Sequence, residues 1–265
     1  MTLVRRSLGR APAVFLSVTG LLAVFQLVLI AVARSLVETG NFERIAQMAA
    51  PEFVLRMFGA AFASFAGLTV IGFFEPLIMI LVVQFAIYLA SEPAAEIESG
   101  LLDLILARPL PRHWLITRSL IVMTFGVLIA TLTMGLATWV GLLMLAPPDV
   151  PWPTVETVRV LMIHLAALAW CFGGAALACA AFVNRRAAAA AIVGIGAVAL
   201  YLADFVGASW PTARYAATVS PFHYFQGAAV LEGTAATARD LTVLLGAGLA
   251  GVVIAYVKFQ RRDIR

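Results

Sequence analysis

Six long apolar runs, separated by short polar connections, constrain this chain more than any other feature. They cover residues 12–33, 76–91, 119–145, 160–183, 187–206 and 241–259. A helix needs roughly 20 predominantly apolar residues to cross the hydrocarbon of a bilayer, and each run approaches or exceeds that length. The expectation is an all-α membrane protein with six transmembrane helices, residues 1–265 forming a single transmembrane domain. Composition agrees: 63% of residues are hydrophobic and 12% charged, against about 45–50% and 25% in soluble domains. That little charge could not coat a soluble surface.

The same arithmetic excludes several functions. Lys258 is the only lysine beside 17 arginines, and no Gly-rich Walker A loop precedes it, so the chain has no phosphate cradle for ATP of that kind. Three His and two Cys without short spacing offer no recognisable zinc site. No convergent polar set of the kind catalysis needs lies within the runs. The chain itself is expected to have no catalytic, cofactor or metal residues and not to be an enzyme. Its basic pI of about 9.5 reflects cations at the ends of apolar runs, which is topology rather than nucleic-acid binding.

Basic residues prefer the cytoplasmic side. A cytoplasmic N-terminus puts Arg5, Arg6, Arg10, Arg108, Arg112, Arg118, Arg185, Arg186, Lys258, Arg261, Arg262 and Arg265 inside. It leaves Arg34, Arg44, Arg56, Arg159, Arg214 and Arg239 outside. Both termini are therefore expected in the cytoplasm. Arg5, Arg6 and Arg10 before an apolar run ending Ala31-Val32-Ala33 have the form of a signal peptide, but the run exceeds the usual h-region, and an uncleaved first span is preferred.

Between the first two spans, Phe42, Ile45, Met48 and Ala49 recur at helical spacing among Glu43, Arg44 and Gln47. This predicts an amphipathic helix on the outer interface. From Gly59 the chain is apolar, yet a single helix from there to Ala90 would be about 48 Å long, beyond the bilayer core. A break at Glu75-Pro76 is expected, with a partly inserted helix before it, because proline suits a first helical turn and disfavours helix at the residue before it. Glu75 then either caps the helix that follows or serves as an acid in a pathway; the cap is preferred.

The connection between the second and third spans has the most specific pattern. Glu92, Glu96 and Glu98 precede Gly100, then Leu101, Leu104, Ile105 and Arg108 share one helical face before Pro109 and Arg112. A short helix of this kind beneath a membrane can seat an apolar ridge in a groove of a soluble partner while its charges set register. It can equally rest on lipid headgroups, and the pattern alone does not separate the two.

These residues resemble the type-2 ABC transporter permeases. Glu96, Gly100, Leu101, Leu102, Leu104, Leu106, Pro109, Leu110 and Arg112 fall where that family has E-x-x-x-G, its leucine-rich stretch and P-x-x-R. Leu101 stands where Thr is common, and Asp103 where Glu is common. The stretch from Ser220 to Phe225 and the terminal Arg261-Arg262-Asp263 are also similar. The resemblance implies an exporter subunit in the plasma (inner) membrane, paired with a second copy of the chain as a homodimer. It further implies two separate ATPase subunits that carry ATP and Mg, and a cytoplasmic coupling helix within 92–112. The coupling residues would be Glu92, Glu96, Glu98, Gly100, Leu101, Leu104, Ile105, Arg108, Pro109 and Arg112. A non-catalytic anchor or assembly factor, or a membrane-embedded enzyme, would be the alternatives.

Three further features have both a functional and a structural reading. His223 among aromatics could line a gate with Glu75, or belong to an interfacial aromatic belt, which is preferred. His164, Cys171 and Cys179 are expected to be packing residues. Ala190 with Gly194, and Gly246 with Ala250, have the four-residue spacing that lets membrane helices approach closely, and suit a subunit interface.

Overall fold

A computed structural model describes residues 12–39, 64–99, 113–210, 214–235 and 237–260. They contain no strand. Six segments are long and apolar enough to cross a membrane, and the chain is a multi-pass membrane protein. The first span is α1 (Pro12–Glu38). The second is broken: α2 (Phe65–Val70) runs through a 3-10 turn (Ile71–Phe73) into α3 (Pro76–Ala90), and a short α4 (Glu92–Glu98) follows at once. The third and fourth spans are α5 (His113–Leu145) and α6 (Val155–Phe182), and the fifth is α7 (Arg186–Ser209). After α8 (Arg214–Ala217), a second 3-10 turn (Pro221–Tyr224) and α9 (Gly227–Leu231), the sixth span is α10 (Thr237–Gln260).

The expected break at Glu75-Pro76 is present, with Pro76 opening α3 and the Glu75 carboxylate accepting the Ile78 N–H at 3.0 Å. The second span, however, starts at Phe65 and not at Pro76. The reason is length: the 15 residues of α3 reach only about 22 Å, short of a hydrocarbon core of about 30 Å. The buried residues of α2 and its 3-10 turn supply the remainder. The amphipathic helix expected earlier in this connection lies outside the described residues.

A broken helix inside a bilayer leaves carbonyls without their i+4 partners, and neighbouring helices must satisfy them. Here α1 does so. Its buried side chains recur at Thr19, Leu22, Gln26, Ile30 and Ala33, one helical stripe, while Leu16, Leu21, Val24, Val28 and Val32 face outward. Within that stripe the Gln26 amide donates to the Thr69 carbonyl. Gly72 admits the contact, since a Cβ there would stand 2.5 Å from Gln26 Oε1 and 2.8 Å from Leu29 Cδ1. Gln26→Leu is expected to destabilise the protein by about 1–3 kcal/mol, the effect of stranding one buried carbonyl. Thermal unfolding in detergent would measure it, and an unchanged midpoint would mean that the carbonyl has another partner.

At the centre stand α6 and the second span, each with 67% of its apolar window buried, against 22% for α1 and 17% for α7. α6 packs on α10, α3, α5 and α7, and α1 leans on α5. α5 has 33 residues, about 50 Å, so it is tilted or projects beyond the core. Its first turns stand beside α4, as do the start of α7 and the end of α6.

Candidate functional site

Two groups of polar residues occupy opposite ends of the bundle. The first is built around α4. Ser91 ends α3, and its hydroxyl donates to the Tyr88 carbonyl at 3.0 Å. Pro93 lies in the first turn of α4 and starts the new direction. Ala94 is fully buried and packs with Ala180 of α6 and Ala189 of α7. A larger side chain would hold α4 away from both.

This seating directs the acids inward. Glu96 is 5% exposed and Arg118, in the second turn of α5, is 2% exposed, and their charged groups meet at 2.7 Å. Glu98 accepts the backbone N–H of Arg186 at 3.1 Å. It thereby serves the start of α7, whose own N-cap residue, Arg185, makes no side-chain capping bond. The Arg186 guanidinium donates to the Tyr88 carbonyl at 2.7 Å, approaches Glu92 at 3.3 Å and lies 3.8 Å from the centre of the Tyr88 ring. Planarity allows arginine to stack and to donate at once.

The result is a clamp. Three acids on seven residues of α4 hold the starting turns of the third and fifth spans, while the helix itself continues the second. Of the coupling residues expected from sequence, Glu92, Glu96 and Glu98 belong to this clamp. Gly100, Leu101, Leu104, Ile105, Arg108, Pro109 and Arg112 lie outside the described residues. The sequence pattern treated the acids as charges presented to a partner; in the structure they engage the chain's own arginines. Arg118, Arg186 and Tyr88 were not singled out from sequence. The available signal was two arginines at span starts on the same membrane side as a run of acids.

The second group lies about 22 Å from the α4 end, a distance set by the length of α3 to Glu75 and by the equal run of α7 from Arg186 to Tyr201. Glu75 and Asp204 both lie within electrostatic reach of the Tyr201 hydroxyl. One turn on from Tyr201, Asp204 meets His223 Nδ1 at 3.3 Å. His223 sits on the 3-10 turn, which Ser220 opens by accepting the Phe222 N–H. The structure thus brings Glu75 and His223 to one locality, joined through Tyr201 and Asp204.

The turn is also a plug. Phe222 is buried between Phe172 of α6 and Tyr201 of α7, with ring centres 5.3 and 5.4 Å apart. Phe225 is buried and stacks on His164 at 6.3 Å. Gly227 lies against the Phe74 ring so closely that no Cβ would fit. The aromatic-belt reading therefore fails for Phe222 and Phe225, whose rings pack into the bundle instead of lying at a headgroup surface. Non-helical backbone at this depth is tolerated because protein surrounds it.

His164 and Cys171 are buried in α6, and the Nδ1 of His164 contacts its own helix at the Val160 carbonyl, 2.8 Å away. No group of three or more potential metal ligands occurs among the described residues. Gly194, expected at a subunit interface, instead faces Gln84 of α3 inside the chain. Comparison with known proteins gives no relative from which to assign a role: no family model, curated protein or solved structure matches the chain.

Proposed function

We propose that this chain is the membrane-spanning permease subunit of an ATP-driven exporter of the type-2 ABC class. Two copies would work with two separate ATPase subunits, which carry ATP and Mg. The loop motif of residues 92–112 supports this reading. So does one structural observation, the clamp of α4 onto the starts of α5 and α7.

A coupling segment must convert a push from a soluble partner into movement of several spans. Residues 100–112 are bracketed by α4 on one side and by the start of α5 on the other. Through Glu96–Arg118 and Glu98–Arg186, a displacement of this segment would be shared by the second, third and fifth spans. The acids then act as the lever's fixings, and the apolar ridge of Leu101, Leu104 and Ile105, with the charged Arg108 on the same face, makes the contact with the ATPase. At the other end, the plug carrying Phe222 and His223 occupies the place where an outward opening would form, with Glu75 and Asp204 at its side. ATP can bias the two states only if the contacts differ between them.

The positive-inside count puts the α4 end and both termini in the cytoplasm, where an ATPase would dock. The test is a mild-detergent pull-down of the tagged chain from its native membrane, with every co-purifying polypeptide sequenced. A near-stoichiometric partner bearing a Walker A loop is expected. A preparation free of any ATPase, repeated in lipid discs, would favour an anchor or assembly role.

Gly100→Pro is expected to abolish transport and this chain's stimulation of ATP hydrolysis by its partner, while the protein still inserts and folds. Transport at the wild-type rate, at equal expression, would remove the coupling role from this loop. Glu96→Arg cannot serve the same purpose, because it would place two guanidinium groups in one buried site and act on folding first.

A further inference from the structure

An apolar cleft of about 480 Å³ opens on the membrane-facing side of the bundle, between α5, α6 and α10. Its walls include Thr124, Leu128 and Leu132 of α5, Ala166 and Trp170 of α6, and Leu245 of α10. The polar atoms in it are occupied. The Trp170 indole N–H donates to the Thr124 hydroxyl at 3.1 Å, and the Thr131 hydroxyl is turned to its own helix at the Val127 carbonyl, 3.1 Å away. The cleft therefore offers dispersion contact and little else, which favours hydrocarbon over any polar ligand.

Its position narrows the occupant. On α6 the lining runs from Met162 to Trp170, eight residues or about 12 Å. Trp170 is near the middle of α6, and Met162 lies toward the end opposite α4. The cleft thus extends from about the midplane toward one surface, close to the roughly 15 Å depth of a single leaflet's hydrocarbon. A second copy of the chain is a poorer match. Twelve residues line the cleft, whereas stable protein interfaces use about 20–30 residues a side.

We infer that this cleft is a binding site for one acyl chain of a phospholipid from the leaflet opposite the α4 end. The tail enters between α5 and α10 beside Leu245, and its terminal carbons reach the Thr124–Trp170 pair. Annular lipid covers the exposed faces of α1 and α7 loosely and exchanges freely. A tail held on three sides is retained, because each wall supplies contacts that a flat helix face lacks. This assignment is independent of the transporter reading.

The test uses the full chain in phosphatidylcholine vesicles doped with a phosphatidylcholine that carries a diazirine at the end of one acyl chain. After irradiation, labelled peptides are mapped. Labelling is expected to concentrate on the α5 and α6 segments around Thr124 and Trp170. Ala166→Leu and Leu245→Trp fill the cleft from different walls and should each reduce that labelling about tenfold. Leu249→Trp, on the exposed face of α10 outside the cleft, should leave it unchanged. Leu245 is 46% exposed, so its variant keeps the test valid if Ala166→Leu fails to fold. Label spread evenly over α1 and α7, or undiminished in both filled variants, would overturn the site. A change in self-association in place of labelling would overturn it too, by making the cleft a protein interface.

Discussion

Arg118→Met is expected to destabilise this protein by about 3–5 kcal/mol, the size typical of removing one partner from a buried ion pair. Glu96 and Arg118 are 5% and 2% exposed, so the carboxylate left behind would be a largely buried charge without its arginine, and moving α4 is its way to fuller hydration. The Ala94 contacts to α6 and α7 oppose that movement. Glu96→Leu should be similarly severe, for the stranded guanidinium. The combined Glu96→Leu/Arg118→Met variant is expected to recover most of the loss, because a well-packed apolar pair often equals or exceeds a buried salt bridge in stability. Thermal unfolding in detergent of the wild type, both single variants and the double variant would close the cycle. Single-variant stabilities within about 1 kcal/mol of wild type would mean that the pair is solvated and α4 is not clamped.

The double variant also separates stability from function. If the clamp transmits motion from residues 100–112, the apolar replacement should remain folded but transport poorly, since dispersion contacts lack the directional hold of an ion pair. A double variant that is folded and fully active would leave the pair a structural role alone.

The sequence was legible where the physics is local. Six spans follow from apolar length, and the break at Glu75-Pro76 and the cap on α3 follow from proline and a carboxylate at adjacent positions. What it did not disclose depends on helix rotation and on distant partners. Glu96 finds Arg118 across the undescribed part of the loop, and Glu98 serves a helix start 88 residues away. A run of acids beside a membrane reads as solvated charge until its partners are placed. The second span was shortened for a related reason. Glu75-Pro76 has every local mark of a helix start, while the span must still reach across the core, and the packing of α2 against α1 and α5 carries it to Phe65. The burial of Phe222 was equally out of reach, because the inward turn depends on Ser220, Gly227 and the space between α6 and α7.

Helix rotation also decides the second large effect, at the contact between α6 and α10. Sequence spacing singled out Gly246 and Ala250, but a Cβ on Gly246 would have nothing within 4 Å, and Ala250 is exposed. The close approach uses Gly248 and Gly251, which lie about 200° and 140° around the helix from Gly246 at roughly 100° per residue. A Cβ on Gly251 would stand 2.6 Å from the Gly174 backbone, and one on Gly174 would press on the Gly248 carbonyl. Real Cβ atoms keep at least 3.0 Å, and backbone, unlike a side-chain end, cannot swing aside. Gly174→Ala is therefore expected to separate two central helices and destabilise by about 1–3 kcal/mol or more, despite the better helix propensity of alanine. Gly246→Ala carries that propensity gain, up to about 1 kcal/mol, with no clash to offset it, and should be neutral or stabilising. The same substitution on the same pair of helices thus has opposite signs. Equal unfolding midpoints for the two variants would mean that α6 and α10 do not meet through these glycines. A loss confined to Gly174→Ala would establish that they do, and that α6 and α10 form one packed unit.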